Sequence, residues 1–380
     1  MSRAPKAEAP ALPEPDRVEG APHPRETRHL FGHAAAEAEF LRAHAAGRLH
    51  HGWLITGPQG LGKATLAWRC ARFLLAAPGA GDSLFGAPPP PASLDIPEDH
   101  PVARRILALS EPRLFLLRRG PNQKGDRLSE DIRVDEVRAL KKFLNLSAAD
   151  GGERAVIIDA VDEMTTSAAN ALLKLLEEPP PRVTLFLISH RPASLLPTIR
   201  SRCRELRLSP LAPDDLARAL TQAGAEAPDP AAMAELAGGA PGEAIRLALL
   251  DGLTIYRSLV ALLDTLPRLD RPRALAFAEA ATARGAEGRF DLTVGLIDLF
   301  LARTARAGVT RQTPPEAAPQ EAALFARLAP DAEAARAWAD LAQTLGVRAR
   351  RGKAVNLDPA ALLMDMLLRI DDTAGRLAQR

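Results

Sequence analysis

Apolar residues along the chain fall into two kinds of run. One kind is short and unbroken: "GWLIT" at 52–56, "RLFLL" at 113–117, "RAVIID" at 154–159 and "VTLFLIS" at 183–189. The other recurs at helical spacing, as in "AAAEAEFLRAHAA", "KATLAWRCARFLLAA", "VDEVRALKKFLNL" and "SAANALLKLLEE". In the helix that begins at Lys63, the residues Leu66, Cys70, Phe73, Leu74 and Ala77 share one face, which predicts that this face packs on a core. Unbroken apolar strands alternating with helices predict a mostly parallel sheet covered on both sides, so residues 28–210 read as an α/β body. After about residue 210 the strand signal fades. "LAPDDLARALTQAG" opens a stretch of short helices over 211–251, and residues 252–380 read as alanine- and leucine-rich helix.

Two segments carry no such period. Residues 1–27 hold six prolines among alanine and charge, a composition that predicts a disordered tail because it buries too little apolar surface to offset ordering. The Pro- and Gly-rich stretch from Ala77 to Pro101 predicts an inserted surface loop. With 380 residues, 47% of them hydrophobic, the chain is long enough for more than one core. Its net charge of +2 gives no global attraction for nucleic acid, which leaves local clusters such as Arg348, Arg350, Arg351 and Lys353 to make any backbone contact with DNA. Two cysteines far apart fit a reducing compartment better than a disulfide framework. No run approaches the roughly 18 apolar residues of a membrane span, so a cytoplasmic location is expected.

Chemistry concentrates at "GPQGLGKAT", Gly57–Thr65. Gly57, Gly62 and Lys63 satisfy the G-x-x-x-x-G-K spacing of a phosphate-binding loop, and Gly60 adds a further flexible position. The motif follows a strand and opens a helix, the context in which backbone N–H groups, a helix N-terminus and a lysine converge on phosphate. One position departs from it. Ala64 stands where a hydroxyl ordinarily holds magnesium, and Thr65 lies about 100° further around the helix. Nucleotide binding is therefore expected with weakly held metal.

The strand "RAVIID" ends on Asp159, where phosphate-loop proteins place a magnesium carboxylate. Ala160 follows, at the position that in hydrolases of this type carries the water-activating glutamate. Asp162 and Glu163 are the nearest carboxylates that could substitute; both lie beyond the strand end, where they equally suit the start of a helix.

The stretch "ANALLKLLEEPPPRVTLFLISHRPASLLPTIRSRC", residues 169–203, closely resembles the core of bacterial clamp-loader subunits of the AAA+ class, and "AVNLDPAALLMDMLL" (354–368) is similar to the last helix of that family. The resemblance implies a RecA-like AAA+ domain (28–210), a helical lid (211–251) and an all-α collar that mediates oligomerisation (252–380). By the same resemblance Gly57, Gly60, Gly62, Lys63, Ala64 and Thr65 would line the site for ATP or ADP, with Asp159 as metal carboxylate and Ser189 as sensor of the terminal phosphate. Arg202 of "SRC" would be an arginine finger acting in trans on a neighbouring subunit. The implied partners are the delta and tau or gamma subunits and, through the complex, the sliding clamp and primed DNA.

Departures from the active members point one way. Ala64, Ala160 and Gly242 vacate three roles that ATP-hydrolysing members fill, while Arg202 is retained. The expectation is a stator within a DNA polymerase holoenzyme, without efficient ATPase activity of its own. An active clamp-loader ATPase using Thr65 with Asp162 or Glu163 is the alternative, and an unrelated phosphate-loop enzyme fits less well because no second substrate constellation is visible. Zinc is not expected, since residues 78–112 contain no cysteine.

Overall fold

A computed structural model describes residues 14–18, 20–77, 91–122, 124, 127–145, 152–283, 285 and 288–379. The chain divides into two compact units, Met1–Pro210 and Leu211–Arg380.

The first unit is built on a five-stranded sheet of β1 (Gly52–Thr56), β2 (Leu114–Arg118), β3 (Arg154–Asp159), β4 (Val183–Ser189) and β5 (Arg204–Arg207). All pairings are parallel, in the order β2-β3-β4-β1-β5. The central strands β1 and β4 are buried along their whole length, as their uninterrupted apolar sequences require when both faces are covered. The register sets Thr56 beside Ser189, and Arg118 beside Asp159, at the carboxyl ends of their strands. Helices α1 (Ala34–Ala45), α2 (Lys63–Ala76), α3 (Pro101–Leu107), α4 (Val134–Asn145), α5 (Thr166–Glu177) and the single turn α6 (Pro197–Arg200) complete the unit. This is the α/β arrangement with a parallel sheet expected from the sequence. Strand β5 has no sequence signal because it is a sheet edge: of "RELR" only Leu206 is buried.

Helix α2 departs from the one-faced expectation. Besides Leu66, Cys70, Phe73 and Leu74, its opposite side is also covered, with Trp68 at 0% and Arg69 at 5% exposure. The cover is the amino-terminal segment, which corrects the expectation of a disordered tail over residues 14–18 and 20–27; residues 1–13 lie outside the described residues. His23 is fully buried, with its ring edge-on to Trp68 at 5.9 Å. Arg69 and Arg72 of α2 donate to the carbonyls of Arg28 and Arg25. The contacts that hold this segment on α2 are all long-range, which local composition does not signal.

The inserted stretch is also partly built. Residues 78–90 lie outside the described residues. Leu94 is buried, Asp95 accepts from Arg69 at 2.9 Å, and His100 caps α3 by accepting from the Val102 N–H. Pro101 occupies the first turn, where a missing N–H does no harm.

The second unit is all-helical: α7 (Pro213–Gln222), α8 (Pro230–Ala237), α9 (Pro241–Leu249), α10 (Gly252–Leu263), α11 (Arg271–Ala281), α12 (Arg289–Thr310), α13 (Glu321–Leu328), α14 (Ala332–Ala354) and α15 (Pro359–Ala378). The long helices α12 and α14 approach closely at Gly346, where a Cβ would collide with the Asp298 carboxylate. A buried network of Tyr256, Arg303 and Glu321 ties α10, α12 and α13 together, with Arg303 Nε 3.1 Å from Glu321 Oε1. The basic cluster near the end of α14 is largely neutralised within this unit. Arg348 pairs with Asp365, Arg350 with Asp298 and Lys353 with Asp291. Among the described residues no helix is long and apolar enough to cross a membrane.

Candidate nucleotide site

The phosphate loop connects β1 to α2 at the carboxyl edge of the sheet, the side on which open α/β sheets bind ligands. Gly57 has φ +138°, and a Cβ there would lie 2.6 Å from the Leu208 carbonyl oxygen. Gly62, the residue preceding α2, has φ +87° and abuts Leu30. Both positions therefore require glycine, as does Gly60 by its φ of +80°.

Lys63 opens α2 and is 3% exposed. Its ammonium donates to the carbonyls of Gly57, at 2.8 Å, and Pro58. Burial lowers its pKa to about 8, against the opposing pull of Asp159 and Asp162. Asp159 is pushed up to about 7 by burial and by the charges of Asp16 and Glu163, with Lys63 and Arg118 opposing. Ser189, on the strand beside β1, is fully buried, and its hydroxyl meets no hydrogen-bond partner among the described residues. The structure thus gathers Gly57, Gly60, Gly62, Lys63, Asp159 and Ser189 at one edge of the sheet. Ala64 is half-buried and offers no ligand; Thr65 is buried within α2.

The two carboxylates that could replace the missing base are already engaged. Asp162 accepts from the His190 N–H at 3.0 Å, tying the ends of β3 and β4 together. Glu163 pairs with Arg119 at 2.9 Å. Neither begins α5, whose cap is Thr165 accepting from the Ala168 N–H. His190 itself is held neutral, its pKa lowered to about 4 by burial and by the neighbouring Lys63 charge.

Arg202 is not part of this cluster. It follows α6, where its guanidinium donates to the Thr198 carbonyl at 3.1 Å and lies 3.0 Å from Glu177 at the end of α5. Its side chain remains 36% exposed. Cys203 beside it packs near Gly52 and Leu176, and burial pushes its thiol up to about 12.

Sequence reasoning missed Asp16 and Arg118. Arg118 ends β2 alongside Asp159 and binds Asp16 at 2.7 Å. The two are separated by 102 residues, so no local pattern signals the pair.

Residues 32–212 match the family described as "DNA polymerase III, delta subunit". The chain is 36% identical to the DNA polymerase III subunit delta' of Pseudomonas aeruginosa over 202 residues, 52% of this chain and 55% of that protein. It is 29% identical to the subunit delta' of Escherichia coli over 340 residues, 88% of this chain and 92% of that protein. The chain is thus similar to DNA polymerase III delta' subunits along most of its length. It is also 29% identical to a DNA polymerase III subunit gamma/tau of Mycobacterium bovis over 293 residues, 69% of this chain. The matches span 55% of the Pseudomonas protein and 45% of the Mycobacterium protein, about half the length of each. This likeness accords with the "LLKLLEEPP" and "SRC" stretches, which lie on α5 and around α6.

Proposed function

We infer that the chain is the stator of a bacterial clamp loader, helping to place a sliding clamp on primed DNA during replication. In this reading it works in the cytoplasm beside delta and tau or gamma subunits and supplies Arg202 to the nucleotide site of a neighbour. The observation that carries it is the division of resources at the carboxyl edge of the sheet. A glycine cradle, a buried lysine and an unpartnered buried Ser189 hydroxyl suit a phosphate group. Ala64 and Ala160 supply no metal ligand or base, and Asp162 and Glu163 are occupied by His190 and Arg119.

ATP or ADP would be held by the loop amides, Lys63 and Ser189, with magnesium weakly bound through Asp159. A bound nucleotide would supply negative charge at the amino end of α2, facing the loop amides and Lys63. An arginine delivered across a subunit boundary neutralises charge developing on transferring phosphate oxygens, a contribution of about 10³–10⁵ in rate. Arg202 is partly exposed and its partners lie outside the phosphate loop, which suits a donor to another subunit.

The likeness to a gamma/tau subunit favours one second reading, an ATPase active on its own account. ATP turnover by the purified chain separates the two. The stator reading expects none above a Lys63→Ala control; turnover matching a motor subunit of the same assembly establishes the second.

A further inference from the structure

The amino-terminal segment does more than cover α2: it reaches the carboxyl edge of the sheet. Glu14 and Asp16 both bind Arg118, the latter at 2.7 Å. Arg118 and Asp159 are register partners on adjacent parallel strands, so their side chains leave the same face. Asp16 therefore lies beside the carboxylate at which magnesium would be held, and its side chain is only 2% exposed. The fully buried His23 fixes this arrangement, with its Nε2 3.1 Å from Asp16 and 3.6 Å from Glu14. Its Nδ1 accepts from the Arg25 N–H, and Arg25 returns to Glu14 at 2.7 Å. Further along, Leu30 touches Gly62 and His33 bonds the Leu61 carbonyl. One continuous run of chain thus contacts the phosphate loop, the outer side of α2 and the strand-end charges.

We propose that residues 14–18 and 20–28 form an autoinhibitory strap that competes with magnesium nucleotide for the edge of the sheet beside Asp159. Two physical effects act together. The strap commits the Arg118 charge to Glu14 and Asp16, and it stations two carboxylates where a polyphosphate would bring further negative charge. Nucleotide then binds the fraction of molecules in which the strap is released, and apparent affinity falls by that fraction. The same linkage requires bound nucleotide to loosen the strap. This rests on the phosphate-loop reading given above.

The test uses the full chain, with magnesium–ADP carrying a fluorescent ribose label as probe and hydrogen exchange of the strap amides as a second readout. Glu14→Gln with Asp16→Gln removes the charges. His23→Ala removes the ring that packs on Trp68 while keeping both strap carboxylates, and serves as an independent variant if the first folds poorly. The strap predicts about tenfold tighter binding in either variant, with faster exchange over 14–28, and faster exchange in the unaltered chain once the probe binds. Unchanged or weaker binding with a loosened strap overturns the proposal while leaving the phosphate loop intact. Binding that is absent throughout, or indifferent to Lys63→Ala, overturns the phosphate-loop reading and the strap with it.

Discussion

Arg202 and Glu177 are joined by a 3.0 Å ion pair between the turn preceding β5 and the end of α5. Both residues lie in the sequence stretches that carry the resemblance to clamp-loader subunits, "SRC" and "LLKLLEEPP". The pair is 36% and 47% exposed, so solvent screens most of its attraction. It orients a guanidinium and holds it weakly, which suits the proposed exchange of partners on docking to a neighbouring subunit. Glu177→Gln is expected to change the stability of the isolated chain by no more than about 0.5 kcal/mol, measured by urea denaturation. A loss of several kcal/mol marks the pair as structural instead.

Gly57 cannot accept a side chain. Its φ is +138°, and the Leu208 carbonyl oxygen would stand 2.6 Å from any Cβ at this position, with no room to withdraw because that oxygen belongs to backbone. Gly57→Ala is expected to lower stability by about 1–3 kcal/mol from strain. Gly224 is a suitable comparison. It also has positive φ, +75°, but a Cβ there meets nothing within 4 Å, so Gly224→Ala carries the backbone strain without the collision. Thermal unfolding of the two variants separates these terms, and equal losses contradict the crowding at Gly57.

The sheet and its phosphate loop were legible in sequence because each depends on local pattern. Unbroken apolar runs become β1, β3 and β4, and the glycine spacing determines the turn into α2. The strap was not legible. Its prolines and charges read as disorder, and the partner that orders it, Arg118, is brought near only by the assembled sheet. Trp68 and Arg69 lie off the face of α2 that the apolar spacing marks, and their burial depends on distant partners, His23 against Trp68 and Glu37, Asp95 and the Arg28 carbonyl around Arg69. β5 was missed because an edge strand with one buried residue has no hydrophobic run to detect.

His190 gives a pH signature. Its folded pKa of about 4 lies below the ordinary value near 6.5, so between these values the unfolded chain binds the extra proton. Its contribution to stability is therefore present above about pH 6.5 and is lost as pH falls toward 4. Asp159, raised to about 7, acts in the opposite sense over much of that range, because its folded form keeps a proton that the unfolded form releases. The difference between the unaltered chain and His190→Asn isolates the histidine. The variant should lose less stability than the unaltered chain on going from pH 7 to pH 5, followed by chemical denaturation. An identical acid limb in both contradicts the neutral assignment of this half-buried ring.

Neither thiol is poised to react. Cys70 is completely buried with its pKa raised, and burial holds Cys203 at about 12. Native protein at pH 8 is expected to react with a small alkylating reagent far more slowly than the urea-unfolded chain, in which two thiols titrate. Prompt labelling of Cys203 in the native state contradicts the packing around Gly52 and Leu176.

The chain is proposed to serve the chemistry of a neighbour and not its own. The direct measurement is DNA-stimulated ATP turnover by the clamp-loader assembly reconstituted with Arg202→Ala, beside an assembly carrying Arg202→Lys and with subunit association verified in each. The account predicts that assembly persists while turnover at the adjoining site falls by about 10³-fold or more for alanine, with lysine restoring little because it lacks the planar fork of donors. Turnover unchanged in an intact Arg202→Ala assembly contradicts it.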